Sequence, residues 1–143
     1  MIVALLKESD IEQIKQAFGD LKGGVDLILF TRGEDNEYCV LTRDLLGELS
    51  ELSDKITLTV HDIQAEKGLA DGYGVDKVPA LVIKGVKDFG IRMYGVPSGY
   101  EFSTLIEDIR DVSGLSSPLP DPVLAMIGQV DQPVHIQVMV TPS

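Results

Sequence analysis

The run Val25-Asp26-Leu27-Ile28-Leu29-Phe30 constrains the fold more than any other segment of this chain. It has strand length, is almost unbroken in apolar character and reads as a buried strand. Thr31-Arg32-Gly33 follows as a turn, and Asp35-Asn36-Glu37-Tyr38-Cys39 leads into an amphipathic helix. Leu41, Leu45, Leu49 and Leu52 share one face of that helix, which is expected to stop near Ser53-Asp54. Ile56-Thr57-Leu58-Thr59-Val60 then alternates apolar and polar β-branched residues, the pattern of a half-buried strand. Two strands joined by a helical crossover run parallel.

The second half reads differently. A short helix is expected from Ala65 to Ala70, ended by Gly72-Tyr73-Gly74. Pro79 precedes the strand Ala80-Leu81-Val82-Ile83, and a turn at Gly85 to Asp88 leads to a strand from Phe89 to Tyr94. Those two strands form an antiparallel hairpin. After the loop Gly95 to Gly99, a last helix carries Phe102, Leu105, Ile106, Ile109 and Val112 at helical spacing. Upstream, Ser9-Asp10-Ile11-Glu12 matches a capping box and opens a helix bearing Ile11, Ile14 and Phe18. The natural closure is α/β: a central four-stranded mixed sheet flanked by helices.

Composition limits what such a domain can bind. The 143 residues carry a net charge of −11, which argues against nucleic acid and against anionic membrane surfaces. Hydrophobic residues make up 44% of the chain and charged residues 24%, a globular balance. Met1 to Leu6 is apolar but short, without a basic leader or a cleavage site, so a cytoplasmic location is expected. His61 and His135 stand far apart with no ligand cluster around them, so no metal is expected. No phosphate-binding loop occurs, and no cofactor is expected.

Past residue 114 the composition shifts. Residues 115–122, rich in Ser and Pro, read as a linker between a domain at 1–114 and a further segment at 123–143. That segment offers a small helix, Val123 to Gly128, and a strand, Val134 to Val140. Its order repeats the opening of the chain, so it reads as the helix and first strand of a truncated second unit. Such a strand must pair with the first unit's sheet, swap into another copy to form a dimer, or stay an exposed edge.

The chemistry centres on Cys39, the chain's one cysteine. A C-x-x-C at a strand-to-helix turn is a redox motif, and here Asn36 stands at its first position. One thiol cannot close an internal disulfide. Asn is a strong N-cap residue, so Asn36 is expected to cap the helix. Glu34, Asp35 and Glu37 surround the same end; they stabilise the helix and repel a thiolate developing there. Cys39 reads as a small buried hydrophobe, with a mixed-disulfide role as the alternative. Pro79 reads as a strand-start proline, or as part of a loop that lays a partner's extended segment along its backbone.

Tyr73-Gly74-Val75 followed by Val78-Pro79-Ala80 resembles the loop of thioredoxin-fold proteins that leads into a cis-proline. Glu51 to Lys55, Lys87-Asp88-Phe89-Gly90 with Tyr94-Gly95-Val96-Pro97, and Gly99-Tyr100-Glu101-Phe102 resemble the N-terminal unit of the two-unit, glutaredoxin-like protein disulfide oxidoreductases. The same pattern is similar to the tandem thioredoxin-fold N-terminal domain of the flavoprotein component of alkyl hydroperoxide reductase. The resemblance runs from about Ser9 to Ser143. It implies a thioredoxin-like fold and a cis Val78–Pro79 bond on a partner-facing loop. It also implies a second unit whose C-x-x-C follows a segment like Val140-Thr141-Pro142-Ser143, so that the chain is a piece of a longer protein. Asn36 places this copy with the degenerate units of that family, and Cys39 as the remnant of its motif. The implied function is a non-catalytic unit of a thiol–disulfide oxidoreductase. It would brace the second unit and position a disulfide protein or a reductase domain. The alternative is a single-cysteine redox protein that uses Cys39 in a mixed disulfide.

Overall fold

The computed structural model describes residues 5–114 and 117–141. Helix α1 (Glu8–Phe18) leads to strand β1 (Val25–Thr31), helix α2 (Glu37–Ser50) and strand β2 (Ile56–Asp62). Helix α3 (Lys67–Gly72), the strands β3 (Ala80–Lys84) and β4 (Ile91–Tyr94), and helix α4 (Tyr100–Gly114) complete the domain. A further helix, α5, spans Asp121–Ile127.

The four strands lie in the order β2-β1-β3-β4. β1 runs parallel to β2, with Val25 opposite Ile56 and Thr31 opposite Asp62. β3 is antiparallel to β1, and β4 antiparallel to β3. The mixed sheet expected from the sequence is therefore present, and β1 sits in its interior, as its apolar run requires.

Alternation along β1 and β3 divides the core. Leu27, Leu29, Leu81 and Ile83 face a large cluster with Ile14 and Phe18 of α1, Leu45, Leu46 and Leu49 of α2, and Leu105, Ile109 and Val112 of α4. Ile28, Phe30, Ala80 and Val82 face a smaller cluster closed by Ile63, Ala70 of α3 and Val75, with Tyr73 and Val78 packed against it. Helices thus cover both faces. Each fully buried Leu, Ile or Phe contributes about 1.5–3 kcal/mol.

Several expectations are corrected. The capping box at Ser9 does not form: Lys7 is the N-cap without a side-chain bond, and Ser9 Oγ lies inside α1, 3.3 Å from Asp10 Oδ1. The amides of Leu5 and Leu6 instead donate to the Glu48 carboxylate of α2, at 2.7 and 3.0 Å. The buried stripe of α2 is Cys39, Thr42, Leu45, Leu46 and Leu49, while Leu41 is 41% exposed. Leu41 borders a groove of about 750 Å³ among α1, α2 and the start of α4. α3 begins at Lys67 rather than Ala65, and β4 at Ile91 rather than Phe89.

The largest correction concerns the C-terminal part. α5 forms two residues earlier than expected, but Val134 to Val140 forms no strand. Among the described residues, every side chain of 117–141 is exposed, including Val134, Ile136, Val138, Met139 and Val140. A strand needs a neighbouring strand to pair its amides, and the described sheet supplies none there. The expected pairing of this segment with the first unit's sheet is therefore absent among the described residues. Residues 115 and 116 of the expected linker lie outside the described residues.

Candidate functional site

β1 hands the chain to α2 through residues 32–36. Gly33 holds a positive φ of 59°, a conformation costly for other residues, and so lets the backbone turn away from the sheet. Asn36 then enters with extended backbone, and its side-chain oxygen accepts from the amides of Tyr38 and Cys39, at 3.1 Å each. The cap expected from the sequence is present. It satisfies two of the amides that a helix start leaves without partners.

Cys39 lies in the first turn of α2 and is 1% exposed. It borders a cleft of about 220 Å³ together with Thr31, Glu34, Arg43 and Asp62. Three residues on, Thr42 is equally buried, and its hydroxyl donates to the Tyr38 carbonyl at 2.7 Å. The thiol therefore faces the domain, while Tyr38, 67% exposed, faces outward.

Charged groups tie this loop down. Asp62, at the end of β2, accepts from the amides of Ala65 and Gln64 at 2.9 Å and from Gly33 at 3.3 Å. The Ala65 and Gln64 bonds are the main cause that holds its carboxyl below the usual range. Arg43 reaches back along α2 to Glu34 at 2.7 Å, and that bond raises the guanidinium's already high pKa. His61 pairs with Glu66 through Nδ1, and Phe30 stacks at a tilt beside its ring, centroids 5.6 Å apart. His135 lies far along the exposed 131–141 segment.

The second expected site element enters at the same end of the sheet. Phe30 pairs with Ala80, so Val78 and Pro79 precede β3 where β1 leaves for α2. The Val78–Pro79 peptide bond is cis. Pro79 itself is buried and Val78 half-buried, and the Pro79 carbonyl accepts from Gly95 at 2.9 Å. Val78 and the exposed Asp76 and Lys77 are what this loop offers to a partner.

Asp62 and Arg43 were not singled out from the sequence. An Asp whose carboxylate turns on to the amides two and three residues later is the one local signal that marks Asp62. No local signal links Arg43 to Glu34.

The sheet order, the helix after β1 and the proline before β3 define a thioredoxin-like fold. No family model matches the chain. The alkyl hydroperoxide reductase protein AhpF of Staphylococcus epidermidis is 27% identical over 131 residues, which cover 91% of this chain and 23% of that protein. The Staphylococcus aureus protein is 24% identical over the same length. The chain thus spans about a quarter of the curated relatives it matches. Among solved structures, the N-terminal domain of the alkyl hydroperoxide reductase AhpF from Enterococcus faecalis superposes with a TM-score of 0.78 at 27% identity, covering 85% of this chain and 59% of that one. A protein disulfide oxidoreductase from Aeropyrum pernix gives 0.77 at 21% identity, covering 90% of this chain and 56% of that one, a likeness of fold. The chain has a thioredoxin-like fold, as these solved structures do. Its homologues are the N-terminal domains of AhpF proteins. Among the described residues, no helix is long and apolar enough to cross a membrane.

Proposed function

We propose that this chain is a non-catalytic thioredoxin-fold unit of a larger thiol–disulfide oxidoreductase, with a bracing and docking role. The observation that carries the proposal is the Asn36 side chain, which accepts from the Tyr38 and Cys39 amides at 3.1 Å. In a working dithiol the attacking sulfur sits at the exposed helix start, where free amides and the macrodipole stabilise the thiolate. Asn36 uses those amides itself, and the remaining Cys39 is buried. Cys39 is then a remnant of a degenerate C-x-x-C.

In this reading residues 1–114 are the supporting unit, 115–122 the linker and 123–143 the start of a second thioredoxin-fold unit. The exposed apolar residues Val123, Leu124, Met126 and Ile127 of α5 are then covered by that unit. Val78, beside the cis Pro79, belongs to the surface that meets a disulfide protein or a reductase domain. The location is cytoplasmic.

The cleft beside Cys39 favours a second reading, in which the thiol forms a mixed disulfide with glutathione or a partner. Iodoacetamide separates the two. In the bracing role, Cys39 is alkylated only after urea unfolds the chain. A thiol that reacts in the folded protein below about pH 7 overturns that role in favour of the single-cysteine enzyme.

A further inference from the structure

Strand alternation gathers cations and aromatic rings on one side of the β3–β4 hairpin. Ala80 and Val82 face the smaller core cluster, and Lys84 continues that side of β3. Tyr94 pairs with Ala80 and Arg92 with Val82, so both share that face. The Lys84 ammonium lies 6.0 Å from the centre of the Tyr73 ring, and the Arg92 guanidinium 5.6 Å from the same ring. Lys77 stands 5.0 Å from the Tyr94 ring, and Lys87 in the hairpin turn 5.0 Å from Phe89.

Four of the chain's 12 basic residues thus sit over aromatic rings within one hairpin and the loop before it. Between Tyr73 and Tyr94 the carboxylates are Asp76 and Asp88 alone, and each already faces a cation: Lys77 at 3.6 Å and Arg92 at 2.6 Å. Lys84 and Lys87 have no carboxylate partner among the described residues. Ring contact restrains the long stems, so less entropy is lost when the ammonium groups meet an anion. The chain as a whole carries a net charge of −11, so its other surfaces repel an acidic partner and would orient it towards this face. β4 is also the last strand of the described sheet, so an extended segment can lie beside it.

We propose that the Tyr73–Tyr94 segment docks an acidic, extended polypeptide segment of a partner protein, held by Lys84 and Lys87, the two cations of the hairpin without a carboxylate partner among the described residues, beside the exposed rings of Phe89 and Tyr94. The proposal goes beyond the bracing role and needs neither Cys39 nor thiol chemistry. Nucleic acid is disfavoured as the occupant, because a phosphate backbone would meet the acidic remainder of the surface on either side.

The test is fluorescence anisotropy of a fluorescein-labelled oligoglutamate peptide against the full chain. Saturable binding is expected at about 20 mM salt, weakening at least about tenfold by about 200 mM. Lys84→Glu with Lys87→Glu should weaken it about tenfold or more, whereas Lys15→Glu with Lys22→Glu, the same change in net charge at exposed sites elsewhere, should stay within about twofold. Lys84→Gln with Lys87→Gln serves if the reversed pair does not fold. Absence of saturable binding at low salt overturns the proposal, as does equal weakening in both pairs. Self-association abolished by the hairpin variants, without peptide binding, would make a second copy the occupant and likewise overturn it.

Discussion

Asn36 does with one side chain what a working redox turn leaves undone: it closes the amides at the start of α2. Asn36→Ala is expected to destabilise the domain by about 1 kcal/mol, with Asn36→Asp restoring most of the loss, as read by urea unfolding. The cap was legible in the sequence because all its partners lie within three residues. Thr42 and Ser113 were not, although both are buried. Thr42 bonds within its own helix, where no pattern marks it, and Ser113 accepts from the Lys22 amide, distant along the chain, at 2.9 Å. A second residue-scale prediction concerns acid. Arg92 bonds hold the Asp88 carboxyl at about 2, below the usual carboxylate value. The unfolded chain then binds the proton more tightly than the folded one. The ion pair's contribution is therefore full above about pH 4 and is lost as pH falls through about 2. Unfolding midpoints of the native chain and Asp88→Asn should converge over that window, from a difference of about 1 kcal/mol or less. A constant difference down to the lowest pH would assign the effect to packing.

Elements are fixed by contacts that the sequence only partly announces. The strands and α4 were legible because each buries a periodic face. The start of α1 was not: Ser9 and Glu12 have the right spacing, but Glu48 of α2 holds the preceding backbone and moves the first turn forward. β4 begins later than its pattern suggests, because Asp88 accepts from the Gly90 amide and bends the chain there. The hairpin turn also touches α4. A Cβ at Gly85 would run into the Val112 carbonyl, so β3 and the last turn of α4 approach with backbone alone between them. Gly85→Ala is expected to cost about 1–3 kcal/mol through forced separation of these elements, measurable as a lower urea midpoint. An unchanged midpoint would mean that the hairpin turn moves freely on α4.

On the scale of the whole molecule, stability resides in the mixed sheet and the helices on its two faces. Residues 117–141 bury no side chain, and the described hydrogen bonds among them are local. Removing everything after Gly114 is therefore expected to leave the thermal midpoint unchanged, and a fall of more than a few degrees would place the segment on the domain surface. The helix in that segment was legible from its sequence, but the expected strand is absent, because pairing belongs to the sheet and not to the run of residues. The central claim is that the chain carries a thioredoxin-like fold without dithiol chemistry. Insulin reduction by the purified chain, with the dithiothreitol background subtracted, tests it most directly. No turnover above background is expected, and Cys39→Ser should be indistinguishable from the native chain. Turnover that disappears in Cys39→Ser would contradict the claim.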